Sequence, residues 1–434
     1  MDKMADVLGR AGAWCGQNKY LSAIKNAFQN FMPLTIAGAI GVLWCNVLVN
    51  DQTGLGIFFK PIMALDFLNP AFQAVNFCTI SCITVGITLG IAQEIGVWNM
   101  GAEKAGYIPG LVGLAAWLSV TNTSHMVEGA KEAFTGIAGN ELGATGLFTG
   151  MIIGVLSVEL FCFFEKQDAL KIKMPEQVPP GVARAFEVLV PATITLIITA
   201  CIGSACYNLT GLYLNDVIKN GIQGPLGAVG ATIPGVMIIY LVIMLFWLVG
   251  IHGNNMLSAV KEALFTPLAL ENVEKFNKGE KPTNIINMYF LQMCGEFGGS
   301  GVTIGLVIAI MIFGKREDNK AIASLSLVPG LFNINETVTF GIPMVLNPIL
   351  GIPFVFACLV TILVGYVLTV IGFCPVACLT VPWTTPPLVF GFLATGANIM
   401  GAVTQAILIV VSTVIYTPFL IAYEKYQNKQ AAEA

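Results

Sequence analysis

The segment PGLFNINETVTFGIPMVLNP, residues 329–348, decides the fold class of this 434-residue chain. It places one carboxylate, Glu336, between Asn335 and Thr337, and it contains three prolines. The apolar runs around it have membrane length, and a charge at the centre of a lipid-facing helix costs about 2.5–3.5 kcal/mol. Irregular backbone at membrane depth survives only where it is buried in protein or lines a wet cavity. The segment therefore predicts a polar site inside a membrane protein.

The overall composition supports this class. Hydrophobic residues make up 56% of the chain and charged residues only 11%, whereas soluble domains carry roughly 25% charged residues. We predict an all-α polytopic membrane protein with about ten transmembrane helices and two re-entrant hairpins. The net charge of −4 is too small to indicate a nucleic-acid partner. With two histidines, no C-x-x-C motif and no P-loop, the sequence predicts neither a metal site nor a cofactor.

The distribution of positive charge predicts the orientation. All of the 21 Lys and Arg residues except Lys60, Lys131 and Lys219 fall in segments assigned to the cytoplasm. Those segments are the two termini and residues 97–106, 166–186, 252–282 and 315–320. Because cytoplasmic loops of membrane proteins carry an excess of Lys and Arg, both termini are predicted to be cytoplasmic.

The same map predicts the two hairpins. Residues 252–282 and 315–320 are both assigned to the cytoplasm, yet only one apolar stretch lies between them. A segment that leaves and returns to the same side is a re-entrant hairpin, which we place near 284–313. Its tip is GEFGGSGVTIG, residues 295–305, and the residues that permit a tight reversal there are Gly298, Gly299 and Gly301. The same reasoning predicts a second hairpin near 321–348.

Two ionisable residues are candidates for the chemistry of this site. Glu336 lies at the predicted tip of the second hairpin, where an ionisable residue indicates function. The alternatives are a position at the water interface or a structural pairing with a nearby amide. His252 follows an apolar run and is flanked by two glycines. A lone histidine is commonly structural, but Asn254 and Asn255 beside it favour a ligand with many hydroxyl groups.

Aromatic, amide and acidic residues complete the set. Trp247 and Trp383 offer rings that cover the C–H face of a sugar, and each can instead be an interfacial anchor. Glu159 is expected to pair within the first group of helices, and Glu296 borders the glycine-rich tip. The predicted substrate-binding residues are Trp247, Asn254, Asn333, Asn335, Gly299 and Trp383.

Four stretches of the sequence resemble one known family. They are AIKNAFQNFMPLTIAGAI at 23–40, HGNN at 252–255, GGSGVTIGL at 298–306 and the segment at 329–348. In this order, along essentially the whole chain, they resemble the membrane subunit (enzyme IIC) of phosphoenolpyruvate-dependent sugar phosphotransferase systems, in the lactose, cellobiose and diacetylchitobiose group. That family usually has Asn-Glu-Pro where this chain has Asn-Glu-Thr at 335–337, which leaves the sugar preference open.

The resemblance implies a particular organisation. The family forms homodimers of protomers with about ten helices and two re-entrant hairpins. Residues 1–186 would form the N-terminal transmembrane half and part of the dimer scaffold, 187–232 a connecting span and linker, and 233–434 the half that binds and moves the sugar. Within that half, the resemblance makes His252 and Glu336 the catalytic pair and Trp247 part of an aromatic wall.

The resemblance also implies a function. A β-linked disaccharide would cross the cytoplasmic membrane of a bacterium by alternating access, and its 6-hydroxyl would be phosphorylated by a separate, phosphorylated IIB subunit acting in trans. The chain would then be a subunit of a phosphotransferase complex with no phosphorylated residue of its own. An alternative is a proton-coupled secondary sugar transporter in which Glu336 and His252 relay protons. A membrane scaffold without transport is disfavoured by two polar hairpins, and the energy source of uptake separates the first two hypotheses.

Overall fold

The computed structural model describes residues 10, 13–14, 17–51, 55–125, 134–175, 177–342 and 344–433. Lys131, which the charge map assigns to the non-cytoplasmic side, lies outside these residues. Position 343 of the second predicted hairpin and most of the segment before residue 17 also lie outside them.

The described residues are predominantly helical, which confirms the predicted all-α fold. In chain order the α-helices are α1 (Lys19–Leu43), α2 (Asn69–Cys78), α3 (Ile83–Met100), α4 (Ala102–Ala105), α5 (Ile108–Val120), α6 (Gly139–Leu142), α7 (Ala144–Glu165), α8 (Pro180–Thr210), α9 (Leu214–Ile218), α10 (Gly224–Gly230), α11 (Ile233–Leu248), α12 (Gly253–Met256), α13 (Ser258–Asn277), α14 (Met288–Gly295), α15 (Ile304–Phe313), α16 (Glu317–Leu331), α17 (Glu336–Gly341), α18 (Gly351–Val370), α19 (Val389–Ala394) and α20 (Ile399–Glu433). Tighter 3₁₀ turns cover Leu55–Ile57, Lys60–Leu68, Ile80–Cys82, Asp168–Leu170 and Ser300–Val302, and π-helical turns cover Trp44–Leu48 and Lys219–Gln223. Two short strands, β1 (Ser124–His125) and β2 (Phe134–Thr135), pair in antiparallel fashion.

Several of these helices have the length and composition of membrane spans. Among the described residues, six helical stretches are long and apolar enough to cross a bilayer, and α14 with α15 forms a seventh candidate bent by 59°. The six are Lys19–Leu48, Lys60–Met100, Ala144–Glu165, Pro180–Thr210, Gly351–Val370 and Ile399–Glu433. Helices α5 and α11 are apolar but shorter. The total of about ten spans remains a prediction, because short helices and a bent pair can either cross a bilayer or enter it only part-way.

Contacts within the chain divide it into two compact units. The N-terminal unit comprises Gln17–Ala37 and Asn76–Gly227. The C-terminal unit comprises Gly38–Val75 and Ala228–Ala434, together with the described residues before Gln17. The predicted division at residues 186 and 232 concerns scaffold and transport roles that these contacts do not test, and it remains a prediction.

The N-terminal unit is built on close packing of α3, α5 and α7. A Cβ added to Gly150 of α7 would lie 2.2 Å from the hydroxyl oxygen of Thr88 in α3. No side chain fits there, so glycine lets the two backbones approach as they do in many membrane helix pairs.

Ion pairs close the polar ends of this unit. Glu165, at the end of α7, is almost fully buried and lies 2.9 Å from the Lys104 ammonium and 3.0 Å from the Arg184 guanidinium. Two cations compensate a carboxylate that burial would otherwise disfavour. Glu159 lies 2.6 Å from Lys19, which confirms that it pairs within the first group of helices.

The C-terminal unit has a large apolar core. Helix α15 reads IGLVIAIMIF and packs along α20, as expected for a helix that is apolar on every side. Aromatic side chains with almost no exposure fill the space between the helices; they include Tyr240, Phe265, Phe290, Phe354 and Tyr416. This core surrounds the break between α14 and α15 and gives it a rigid support.

Candidate functional site

The break between α14 and α15 contains the glycines of the predicted hairpin tip. Gly298, Gly299 and Gly301 have φ angles of 69°, 89° and 76°, a region that residues with a side chain rarely adopt. A Cβ on Gly299 would also lie 2.5 Å from the Cβ of Asn335. Gly299 therefore acts as a spacer that lets the segment before Glu336 approach the break.

Side chains of α20 form hydrogen bonds with backbone carbonyls that have lost their helical partners at the break. The Tyr416 hydroxyl donates to the Gly301 carbonyl at 2.8 Å, and the Ser412 hydroxyl donates to the Val302 carbonyl at 2.8 Å. Broken backbone inside a membrane protein requires such partners. The protein itself therefore fixes the shape of the break.

Asn333 joins three segments. Its backbone is left-handed, with φ of 64°, and its amide oxygen accepts from the Gly298 N–H at 2.6 Å. Its amide nitrogen donates to the carbonyls of Trp383 and Thr385. Trp383 itself keeps a half-exposed ring beside this junction. Asn333 is thus engaged within the protein, whereas the Trp383 ring is open to a ligand; a direct sugar contact by either residue remains a prediction.

Asn335 makes a second link between the broken segments. It is 4% exposed, and its amide nitrogen donates to the Ser300 carbonyl at 2.8 Å. Since Glu336 follows directly in the chain, this hydrogen bond fixes the backbone from which the carboxylate extends. The predicted role of Asn335 in binding a substrate directly remains a prediction.

The structure brings Glu336 and His252 together. Glu336 Oε1 and His252 Nε2 are 3.9 Å apart, and 48% and 39% of the two side chains are exposed. Nδ1 of His252 accepts from the Asn255 N–H at 3.2 Å. In the neutral imidazole the proton is therefore on Nε2, the nitrogen that faces the carboxylate. The pair is accessible, oriented and too far apart for a direct hydrogen bond.

Trp247 packs against the ring of His252. The centroids of the Trp247 and His252 rings are 4.4 Å apart with an interplanar angle of 47°, and Phe354 packs edge-on against the indole. Trp247 is only 2% exposed. In this structure the indole therefore orients the imidazole, and its predicted place in a sugar-facing aromatic wall remains a prediction.

A buried ion pair lies behind this site. Lys261 forms an ion pair with Oε1 of Glu296, and the two side chains are 7% and 19% exposed. The Tyr240 hydroxyl donates to the same carboxylate oxygen at 2.7 Å, and the ammonium lies 5.5 Å from the centroid of the Tyr240 ring. A buried charge is tolerated only when it is paired and hydrogen-bonded, and both members of this pair meet that condition.

The two neighbouring asparagines after His252 have different environments. The Asn254 oxygen accepts from the Lys261 ammonium at 3.1 Å, and its nitrogen donates to the Ser300 hydroxyl at 2.9 Å. Asn255 is exposed, and its side-chain amide makes no hydrogen bond to any described residue. Asn255 is therefore the amide beside His252 that is free to bind a ligand, whereas Asn254 is held by the protein.

The charge map assigned Lys261 to the cytoplasmic side with the rest of residues 252–282 and did not predict that its side chain is buried against Glu296. The helical spacing of the sequence could have predicted this burial. Lys261 lies on the same buried face of α13 as Phe265, Ala269 and Asn272, at spacings of one turn. A cation on such a face requires an acidic partner, and the Glu296 carboxylate at the glycine-rich break supplies it.

Comparisons with known proteins agree with this architecture. The family model described as Phosphotransferase system, EIIC, matches residues 25–358. The oligo-beta-mannoside-specific EIIC component of Bacillus subtilis (strain 168) is 34% identical over 98% of this chain and 94% of the relative. The lactose-specific EIICB component of Staphylococcus aureus (strain COL) is 32% identical over 94% of this chain and 69% of the relative.

A solved structure has the same fold. The transporter ChbC, the IIC component from the N,N'-diacetylchitobiose-specific phosphotransferase system, superposes with a TM-score of 0.88 over 97% of both chains at 30% identity. The fold and the polar site at a helix break define a membrane-embedded sugar permease. The chain belongs to the EIIC family of phosphotransferase systems. EIIC components work with a sugar substrate and a IIB subunit.

Proposed function

We propose that this chain binds a β-linked disaccharide or short oligosaccharide and carries it across the cytoplasmic membrane of a bacterium by alternating access. It then presents the 6-hydroxyl of the sugar to a phosphorylated IIB subunit. The observation that supports this most directly is the His252–Glu336 pair, accessible and separated by 3.9 Å.

The separation of this pair fits one hydroxyl group. An oxygen atom placed between the two side chains can lie about 2.8 Å from both Glu336 Oε1 and His252 Nε2, which is normal hydrogen-bond distance. The hydroxyl would donate to the carboxylate and accept from the imidazole N–H. Such a position orients the oxygen and draws its proton toward Glu336, so that the oxygen can attack a phosphoryl group.

The class of substrate follows from the site and from the relatives. The names of the matched relatives specify oligo-beta-mannoside, lactose and N,N'-diacetylchitobiose, which are all short glycans. The exposed Asn255 amide and Trp383 ring suit hydroxyl groups and an apolar sugar face. These features support a short β-linked glycan as the substrate class.

The partner is proposed on similar grounds. EIIC components work with a IIB subunit, so a IIB subunit would supply the phosphoryl group to the sugar held by this chain, with this chain acting as a homodimer. We place both termini and residues 252–282 and 315–320 on the cytoplasmic side, where IIB acts.

The decisive experiment measures the fate of the sugar. Membrane vesicles containing this chain are supplied with radiolabelled cellobiose and with IIB kept phosphorylated from phosphoenolpyruvate. We expect sugar phosphate to accumulate, with no loss when a protonophore is added. Uptake of unmodified sugar that collapses with the protonophore would instead identify a proton-coupled transporter.

A labelling experiment tests the orientation. Arg316 donates to Asp318 and holds the pKa of that carboxyl below its ordinary value, and more than half of the Asp318 side chain is exposed, as suits a segment in contact with water. In a cysteine-depleted background, Lys278→Cys and Glu317→Cys should react with an impermeant reagent only in inside-out vesicles. Asn319→Cys is the matched control, because Asn319 is buried and should react poorly from either side. Labelling of Lys278→Cys from the outside would reverse the orientation.

A further inference from the structure

We propose that Lys261 and Glu296 form a positioning pair that sets the distance between His252 and Glu336 during phosphorylation of the sugar. This inference rests on the proposed function and adds two residues to it. Neither residue touches the sugar; each acts through the segments that it fixes.

The first observation is that protein groups surround the Lys261 ammonium. It pairs with Glu296, donates to Asn254 at 3.1 Å and lies over the Tyr240 ring. With 7% of the side chain exposed, little surface remains for a sugar hydroxyl. In this conformation Lys261 therefore contacts the protein and does not face a ligand.

The second observation is a continuous set of hydrogen bonds from the pair to the histidine segment. Lys261 orients the Asn254 amide, and that amide donates to the Ser300 hydroxyl at 2.9 Å. His252 lies two residues before Asn254, in the short turn that leads into α13. The ion pair thus holds the turn that carries His252 against the glycine-rich break.

The same break also holds the glutamate segment. The Ser300 carbonyl accepts from Asn335, the residue before Glu336, and the Gly298 N–H donates to Asn333. Glu296 lies at the start of this break. The Lys261–Glu296 pair therefore fixes the break between α14 and α15, to which the segments of both His252 and Glu336 are hydrogen-bonded.

The energetics of buried ion pairs make the inference testable. Removal of one partner leaves an uncompensated buried charge, which reorganises its surroundings, whereas replacement of both partners by neutral groups of similar volume is often tolerated. A pair that acts by positioning should thus show the largest losses in the single variants and a partial recovery in the double variant, which leaves no unpaired buried charge but still lacks the Lys261–Asn254 hydrogen bond. A residue that binds the sugar through its charge would show no recovery.

The experiment compares Lys261→Met, Glu296→Gln and the double variant. The matched control is Lys278→Met with Glu274→Gln, an exposed pair 2.6 Å apart on the same helix. We measure kcat and KM for sugar phosphorylation by phosphorylated IIB, and thermal unfolding in detergent. Each single variant should lower kcat about 20-fold with KM changed less than about 3-fold, and the double variant should return to within about 5-fold of the parent. The control pair should have no effect.

Defined results would overturn the inference. They are a double variant as impaired as the single variants, a loss confined to KM, or single variants with parental kcat. If the single variants do not fold, Tyr240→Phe provides the test, because it removes one hydrogen bond from Glu296 and leaves the ion pair in place. It should lower kcat about 3-fold, and an unchanged kcat would refute the positioning role. If IIB does not phosphorylate sugar in the presence of the parent protein, the proposed function is refuted instead.

Discussion

The C-terminal unit contains two acid–base pairs that are built in opposite ways. His252 and Glu336 are about half exposed and 3.9 Å apart, with no direct hydrogen bond. Lys261 is buried, Glu296 is 19% exposed, and the two are in contact; Lys261 also donates to Asn254, and Tyr240 donates to Glu296. The first pair is open to a ligand, and the second is largely enclosed by protein groups.

This difference distinguishes the candidate site from the ion pair that we propose as its support. His252 and Glu336 need no direct hydrogen bond, because exposed groups keep their solvation and an exposed ion pair contributes little to stability. A charged pair in the interior that lacked such contact would cost several kcal/mol. An accessible pair without a direct hydrogen bond is therefore the better candidate for binding a ligand, and a buried ion pair with further hydrogen bonds is the better candidate for holding that position in place. Three changes test this contrast.

The largest effect is expected from Glu336→Gln. Glutamine keeps the shape of the side chain but cannot accept the proton of the sugar hydroxyl, so phosphorylation should fall at least about 100-fold, the lower end for loss of a general base. Sugar binding, measured by titration calorimetry, should change far less. Glu317→Gln is the control, because Glu317 is an exposed residue of a surface ion pair. Parental rates of sugar phosphate formation in Glu336→Gln would show that the carboxylate has no chemical role.

An intermediate effect is expected from Gly299→Ala. The added methyl group would contact Asn335 and occupy a backbone region that disfavours alanine, so it should separate the two broken segments and cost about 2 kcal/mol in sugar affinity. Gly279→Ala is the matched control: it has a similar φ of 73° but nothing within 4 Å of the added atom. It should lower thermal stability slightly and leave sugar binding unchanged. Equal effects of the two substitutions on binding would contradict the spacer role.

The smallest effect is expected from Trp247→Ala. Loss of the ring that packs against His252 should weaken sugar affinity by about 0.5–1.5 kcal/mol, the scale of one aromatic contact. A double-mutant cycle with His252→Ala identifies the cause, because a residue that acts through the histidine adds nothing once the imidazole is gone. Additive losses would mean that Trp247 contacts the sugar itself. An unchanged affinity in Trp247→Ala would restrict the residue to packing.

The sequence predicted the surroundings of some residues better than those of others. Glu336 and His252 were selected from the sequence because ionisable groups at breaks in apolar runs are rare and costly; the structure brings them to 3.9 Å, and their catalytic role remains a prediction. The amides were predicted as sugar ligands, yet Asn333 and Asn335 form hydrogen bonds to the neighbouring segments. Residue type indicated the polarity of the site correctly. It did not indicate which amide stays free, because that depends on neighbours far away in the chain.

Lys261 shows the limit of local reasoning. Charge counting assigned it to the cytoplasmic side, since Lys and Arg concentrate in cytoplasmic loops, but it could not predict that the side chain is buried. The folded chain brings Glu296, 35 residues further on, into contact with it. Burial of a cation becomes tolerable only through such a partner, and a segment considered alone cannot contain that partner.

The sequence by itself determined the membrane class, the all-helical fold, the family and the chemical type of the site, because composition, apolar length and glycine-rich motifs are local properties. The tertiary structure decided how those parts are used. It set the gap between His252 and Glu336, buried Trp247 under the imidazole and joined Lys261 to Glu296. Distances and burial arise from packing between segments that are remote in sequence, and hydrogen-bond satisfaction in an apolar interior selects one arrangement among those that local preferences allow.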